Sequence, residues 1–359
     1  MNLCKLVNLV VKLSCFVVLL FTSILSHADE EKCIQFLKDT PDSKLKINFE
    51  PVNLLLDSTV LFMGNSRRVS AKRPPPPMGT RLRPHVAVAT HNEGNRFVYE
   101  IIRDNKNEDK VLAIKKYLES IPLKTPLHLY NKSEQLAYWL NLYSVSMINE
   151  IVNRYPRVRL EKLITGTNSI LDKKLISLNS IELSLNEIQS CILFNKYNKD
   201  PLIIYGLYQG YIGSSGITKK AFTGKNVYEL LKNNATEFIN SNRGTRLDGD
   251  TLKVSSLYER NSNYFPDFAN DLKKHLLQFS NDVTREIVTE SIDVEAIINN
   301  WKLADLYGSD RVFGDELAHS SKPTQTQMNR LTQLMRVRGR NLGTPTVTVT
   351  DLDSTEGNL

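Results

Sequence analysis

The stretch SLNEIQSCILFNKYNKDPLIIYGLYQGYIGSSGITKKAFTGKN, Ser184 to Asn226, decides how the chain is read. Ser184-Leu185-Asn186-Glu187 is a capping-box pattern: the serine hydroxyl accepts from the third helical amide while the glutamate reaches back to the serine amide. Leu185, Ile188, Ile192 and Leu193 then give that helix one apolar side. After Asp200-Pro201, the run Leu202 to Tyr208 is apolar on both faces and predicts a central strand. Gln209 to Gly216 follows as a glycine-serine loop, and a helix is expected at about Lys225 to Asn240.

Working outward, Leu136, Trp139, Leu140, Tyr143, Met147, Ile151 and Val152 recur at three- and four-residue intervals and predict a helix with one buried face over Asn131 to Tyr155. Asn131 is its expected N-cap, and Pro156 its stop. Short extended pieces are expected at Ser169 to Leu171, Leu175 to Leu178 and Ile181 to Leu183, the last two forming a hairpin around Asn179-Ser180. Further on, Asp248-Gly249-Asp250 suits a hairpin turn within Leu247 to Val254, a helix is expected at Pro266 to Phe279, and Asp293 is read as the cap of a helix over Val294 to Asn300. Upstream, Thr59 to Met63, His85 to His91 and Arg96 to Ile102 read as strands, the last two joined by a turn at Asn92 to Asn95. Pro74 to Pro77 makes the basic segment Arg67 to Arg83 an extended arm. The fold class is α+β: a helix-rich single domain around a small sheet, with an N-terminal β extension.

The first residues read as a processing signal. Lys5 and Lys12 flank an apolar run, Leu13 to Leu25, that ends in Ser26-His27-Ala28, which predicts a secretory signal peptide cleaved near Ala28. The apolar run is shorter than the ~20 residues that span a bilayer comfortably. An exported chain, periplasmic or secreted, is therefore expected. The segment carries two lysines and no acid, so its removal lowers the formal charge from +7 to +5, too mild a balance to indicate specific nucleic-acid binding. Four regions follow: residues 1–28, the signal; 29–108, an N-terminal extension; 109–308, the main domain; 309–359, a basic amphipathic segment and a flexible tail.

Only Cys33 and Cys191 remain after cleavage. They could form one bridge in an oxidising compartment, but Cys191 is followed by Ile192, Leu193 and Phe194, and the expected state is a buried free thiol. No Cys or His pair has metal-ligand spacing, so neither metal nor cofactor is expected.

Five landmarks in order resemble the family called domain of unknown function 547, across roughly Asp109 to Leu306. Tyr138-Trp139-Leu140-Asn141-Leu142-Tyr143 is similar to its FWINLYN segment, and Ser184-Leu185-Asn186-Glu187-Ile188 to its SLNDIEH. Ala221 to Asn226 resembles AYTAENL, Ser255 to Tyr258 the LSKIF region, and Asn300-Trp301-Lys302-Leu303 the terminal DWSLN. The departures bear on chemistry. Where the family commonly reads CGxxSCP, this chain has Gln209 to Ser215, with Ser214 at the cysteine and Ser215 at the proline; where it reads IEH, Ser190 stands at the histidine. If the resemblance implies a cysteine nucleophile and a histidine base in other members, both are substituted here, and serine without a base is a poor nucleophile.

The leading reading is thus a catalytically degenerate domain that binds a protein, peptide or cell-envelope ligand in the groove between the Ser184 helix and the Gln209 to Gly216 loop. Gln189, Gln209, Asn141 and Tyr143 are its candidate ligand-binding residues. The alternative is a hydrolase or acyl transferase using Ser214 or Ser215, with His85, His91, His128 or His275 as base and Ser190 and Cys191 as further catalytic candidates. A third reading is a scaffold that touches anionic surfaces through two basic segments, Arg67 to Arg83 and Thr324 to Arg340.

Overall fold

The computed structural model describes residues 32–66, 68, 90, 93–104, 107–156 and 159–306. Helices predominate, accompanied by three small sheets, which makes the domain α+β as expected. Helix α1 (Glu50–Thr59) leads into a two-residue strand β1 (Val60–Leu61), paired antiparallel with β2 (Arg96–Phe97). The strand expected through Ile102 stops at Phe97, because the chain turns into helix α2 at Tyr99–Asp104. The proline arm, residues 85–89 of the partner strand expected at His85 to His91, and residues 91 and 92 lie outside the described residues; of the turn expected at Asn92 to Asn95, the last three residues are described, with Gly94 at positive φ. Arg68, at the head of that arm, is described: its guanidinium donates to the Thr245 carbonyl (2.8 Å) and the Thr284 hydroxyl (2.7 Å). It is anchored on the domain instead of free in solvent.

The core is built around α4 (Lys132–Val152), which packs against α3 (Glu108–Lys124). Asn131 caps α4 by accepting from the Glu134 amide at 3.0 Å. Nearly the whole of α4 is buried, not one face alone, since neighbours cover it on every side. After the short α5 (Leu160–Thr165), β3 (Lys174–Leu178) and β4 (Ile181–Ser184) form the expected hairpin, with Asn179 and Ser180 both at positive φ. Ser169 to Leu171 is a turn instead of a strand.

Helix α6 (residues 185–196) follows from the capping box at Ser184. The Glu187 amide donates to the serine hydroxyl at 3.1 Å and the Ser184 amide donates to the glutamate at 2.6 Å. Its middle, Ile188–Leu193, widens into a π-helix. The run after Asp200 is not a strand. Asp200 accepts from the Leu202 amide, Pro201 occupies the first turn, and Pro201–Gly206 winds as a 3-10 helix buried on all sides. Complete burial explains why the run is apolar throughout, and an all-apolar run carries no period to separate strand from helix.

Helix α7 (Val227–Ile239) packs on that 3-10 turn. Beyond it, β5 (Thr245–Asp248) and β6 (Thr251–Ser255) form the expected hairpin through Gly249, and α8 (Ser256–Arg260), α9 (Phe268–Phe279) and α10 (Asp282–Glu290) follow. The helix expected after Asp293 is instead strand β7 (Asp293–Ile298), which adds parallel to β6. Its burial alternates residue by residue, the signature of an edge strand.

The N-terminal segment is fastened to this core. Cys33 and Cys191 form a disulfide, with Cα atoms 6.1 Å apart, so the expected free thiol is corrected. Beside it the Lys196 ammonium donates to the Phe36 carbonyl (3.0 Å), the Lys38 carbonyl (2.8 Å) and Gln135 Oε1 (2.6 Å). Burial lowers its pKa to about 8, with Asp39 acting the other way.

Candidate functional site

The serine loop is held by backbone from three directions. Gly210 sits at φ +82° and its missing side chain leaves room for Ile151, so only glycine fits that corner. The Ile212 and Gly213 amides donate to the carbonyls of Lys302 and Asn300, each at 2.9 Å, and the Ser255 hydroxyl donates to the Gly213 carbonyl at 3.2 Å. Arg243, fully buried, donates to the carbonyls of Ser214 (2.6 Å) and Ile212 (3.2 Å) while pairing with Glu237. Burial raises the Glu237 pKa, and the nearby Arg243 opposes that rise.

Ser214 and Ser215 are both buried. The Ser214 hydroxyl donates to the Tyr211 carbonyl at 2.7 Å, and the Ser215 hydroxyl to the Tyr205 carbonyl at 2.6 Å. The crevice beside them, lined by Tyr208, Tyr211 and Arg243 among others, admits no water molecule. Among the described residues no histidine hydrogen-bonds to either serine. His275 is buried and its Nε2 meets the Tyr205 hydroxyl at 2.9 Å; desolvation lowers its pKa to about 4. His128 is exposed in the 3-10 turn before α4, and His85 and His91 lie outside the described residues. Each hydroxyl is thus held as a donor to a main-chain carbonyl, which ties the loop to the core.

The remaining catalytic candidates divide. Ser190 is exposed on the π-turn, its hydroxyl donating to the Asn186 carbonyl at 2.7 Å. Cys191 is consumed by the disulfide and has no thiol to offer.

Three of the four ligand-binding candidates come together and one stands apart. Asn141 donates to the Phe222 carbonyl (2.8 Å) and accepts from its amide (3.1 Å), an amide clamp that fixes the chain after the loop. It borders a cavity of about 10 Å³, room for a single water at most. Tyr143 and Gln209, by contrast, meet inside the domain: Gln209 donates to the Tyr143 hydroxyl at 3.3 Å. The Gln209 carbonyl accepts from the Tyr211 hydroxyl (3.4 Å) and from Arg260 (3.2 Å). Half-buried Gln189 donates from α6 to Asn261, the residue after Arg260. Burial raises the phenol pKa values of Tyr143 and Tyr211 to about 12, and Arg260 opposes that rise at both.

Sequence reading missed Tyr211, Arg260, Asn261 and Trp301. Tyr211 and Trp301 lie against each other at a tilt of 32° with centroids 4.4 Å apart, and the Arg260 guanidinium lies against both rings, 5.5 Å and 5.1 Å from their centroids. A signal for two of them was present: Trp301 belongs to the DWSLN-like landmark, and Arg260 follows the LSKIF-like one by two residues.

Residues 127–239 match the family model described as Protein of unknown function, DUF547. The matched segment includes α4, the capped helix α6, the 3-10 turn and the serine loop, so Tyr143, Gln189 and Gln209 all lie within it. Arg260 and Trp301 lie beyond its end. No curated protein and no solved structure matches the chain. Among the described residues there is no group of three or more His, Cys, Asp or Glu side chains able to hold a metal, and no helix long and apolar enough to cross a membrane.

Proposed function

We propose that the chain is an exported DUF547-like domain that has lost catalytic chemistry and binds a peptide or protein segment in the groove between α6 and the Gln209 to Gly216 loop. The observation that carries this reading is the state of the two loop serines: both hydroxyls are spent on main-chain carbonyls in a crevice closed to water. The groove itself is walled by side chains that suit a peptide backbone. Half-buried Gln189 offers an amide, anchored by donating to buried Asn261, and half-buried Trp301 offers a flat apolar face backed by Tyr211. Export is supported by the Cys33–Cys191 disulfide, a bond that persists in oxidising compartments, together with the signal-like first 28 residues. A periplasmic or extracellular location, with an envelope protein or peptide as partner, belongs to the same proposal.

Two experiments test it. A serine-directed fluorophosphonate probe is expected to leave the protein unlabelled; stoichiometric labelling that disappears in Ser214→Ala or Ser215→Ala would restore the hydrolase reading. A random peptide library panned on the mature chain is expected to yield binders that lose affinity in Gln189→Trp, which fills the groove. Binders indifferent to Gln189→Trp would move the site elsewhere.

A further inference from the structure

Arg260 has an unusual set of partners. Its Nη1 donates to Gln209 and its Nη2 to the Tyr211 hydroxyl, which uses two of the five donors a guanidinium carries. The Nε–H is buried with no partner, and among the described residues no carboxylate stands within ion-pair distance. Arg243, buried behind the serine loop, has Glu237 by contrast. A cation held against two aromatic rings is partly stripped of water, and without a counter-ion it attracts an anion more strongly than an exposed lysine does.

Its surroundings fix its position. Gln209, itself buried and tied to Tyr143, holds Nη1, and the rings of Tyr211 and Trp301 flank the guanidinium. On the α6 side the Tyr264 hydroxyl is buried without a partner among the described residues, packed edge-on against Phe194 at 4.8 Å.

We propose that Arg260 is the anion-recognition residue of the groove and receives a carboxylate of an acidic peptide. This rests on the groove-binding reading and names the ligand class. The choice of a carboxylate follows from geometry: a planar guanidinium held by its edges pairs bidentately with a planar two-oxygen acceptor. The half-buried amide of Gln189, anchored on Asn261 next to Arg260, then meets the peptide main chain beside that carboxylate.

The protein has two tryptophans, and Trp139 is wholly buried in the core, so a ligand at Arg260 is reported by Trp301 emission. Titration of the full mature chain with N-acetyl-triglutamate amide is expected to shift that emission in a salt-sensitive manner, while the triglutamine counterpart leaves it unchanged. Arg260→Gln is expected to abolish the response. Arg260→Lys, which keeps the charge and loses the fork, is expected to weaken it about tenfold. Circular dichroism and melting of both variants establish that they fold. An equal response to triglutamine, stronger binding of inorganic phosphate, or an unchanged response in Arg260→Gln would each overturn the assignment. Library-selected peptides that bind Arg260→Gln as well as wild type would remove the carboxylate and leave the groove. Triglutamate binding that depends on Arg260 and ignores Gln189→Trp would do the reverse.

Discussion

At the scale of single residues, the chemistry turns on where a hydroxyl points. The Ser215 hydroxyl is a structural donor to Tyr205, so Ser215→Ala is expected to cost about 1–2 kcal/mol in urea unfolding and to change no binding. His275 makes a second prediction. Its folded pKa of about 4 lies below the ordinary 6.5, so above pH 6.5 its contribution to stability is fully present. As the pH falls from 6.5 toward 4 the unfolded chain takes up the proton first, and stability on the order of 3 kcal/mol is lost. Urea midpoints measured over that range are expected to fall for wild type and to flatten in His275→Gln; parallel curves for the two would refute the assignment. The sequence displayed Ser214, Ser215 and Ser190 at their substituted positions plainly. It could not display that two of these hydroxyls face inward, because burial of a loop is set by Arg243 and by strands far along the chain.

At the scale of elements, local rules were legible wherever the signal was local. The capping box at Ser184, the Asn131 cap, and the hairpins at Asn179-Ser180 and Gly249 are each specified within a few residues. Two elements were misread for a common reason. Leu202 to Tyr208 is apolar at every position and carries no period, and Asp293 to Ile298 begins with a residue that caps helices but alternates in burial once β6 is beside it. Tertiary neighbours decided both. Two glycines separate backbone need from crowding. Gly249→Ala meets nothing within 4 Å and suffers only its positive φ, so a loss of about 1 kcal/mol is expected. Gly210→Ala adds a collision with Ile151 to the same strain and is expected to cost roughly 3 kcal/mol or more in chemical denaturation. Equal losses would mean that the Gly210 corner is not packed as described.

At the scale of the whole molecule, the Cys33–Cys191 disulfide closes a loop across a sequence separation of 158 residues and pins the N-terminal segment to α6. Cys33→Ser with Cys191→Ser is expected to lose about 2–5 kcal/mol, and dithiothreitol is expected to lower the melting temperature of wild type while leaving the double variant unchanged. No local pattern announces a bridge of that span, which is why the apolar flank of Cys191 argued for a free thiol. The groove has the same character. Tyr143, Gln189 and Gln209 come from the DUF547 segment and could be named from it, whereas Arg260 and Trp301 arrive from beyond it through the sheet formed by β5, β6 and β7. The central claim is that this assembled groove, and not the serine loop beneath it, is the working part of the molecule. The most direct test is the affinity of one library-selected peptide for wild type, Ser214→Ala and Gln189→Trp, measured side by side by calorimetry. Wild-type affinity in Ser214→Ala with a loss of at least about tenfold in Gln189→Trp is predicted, whereas loss of binding in a folded Ser214→Ala together with full affinity in Gln189→Trp would contradict the account.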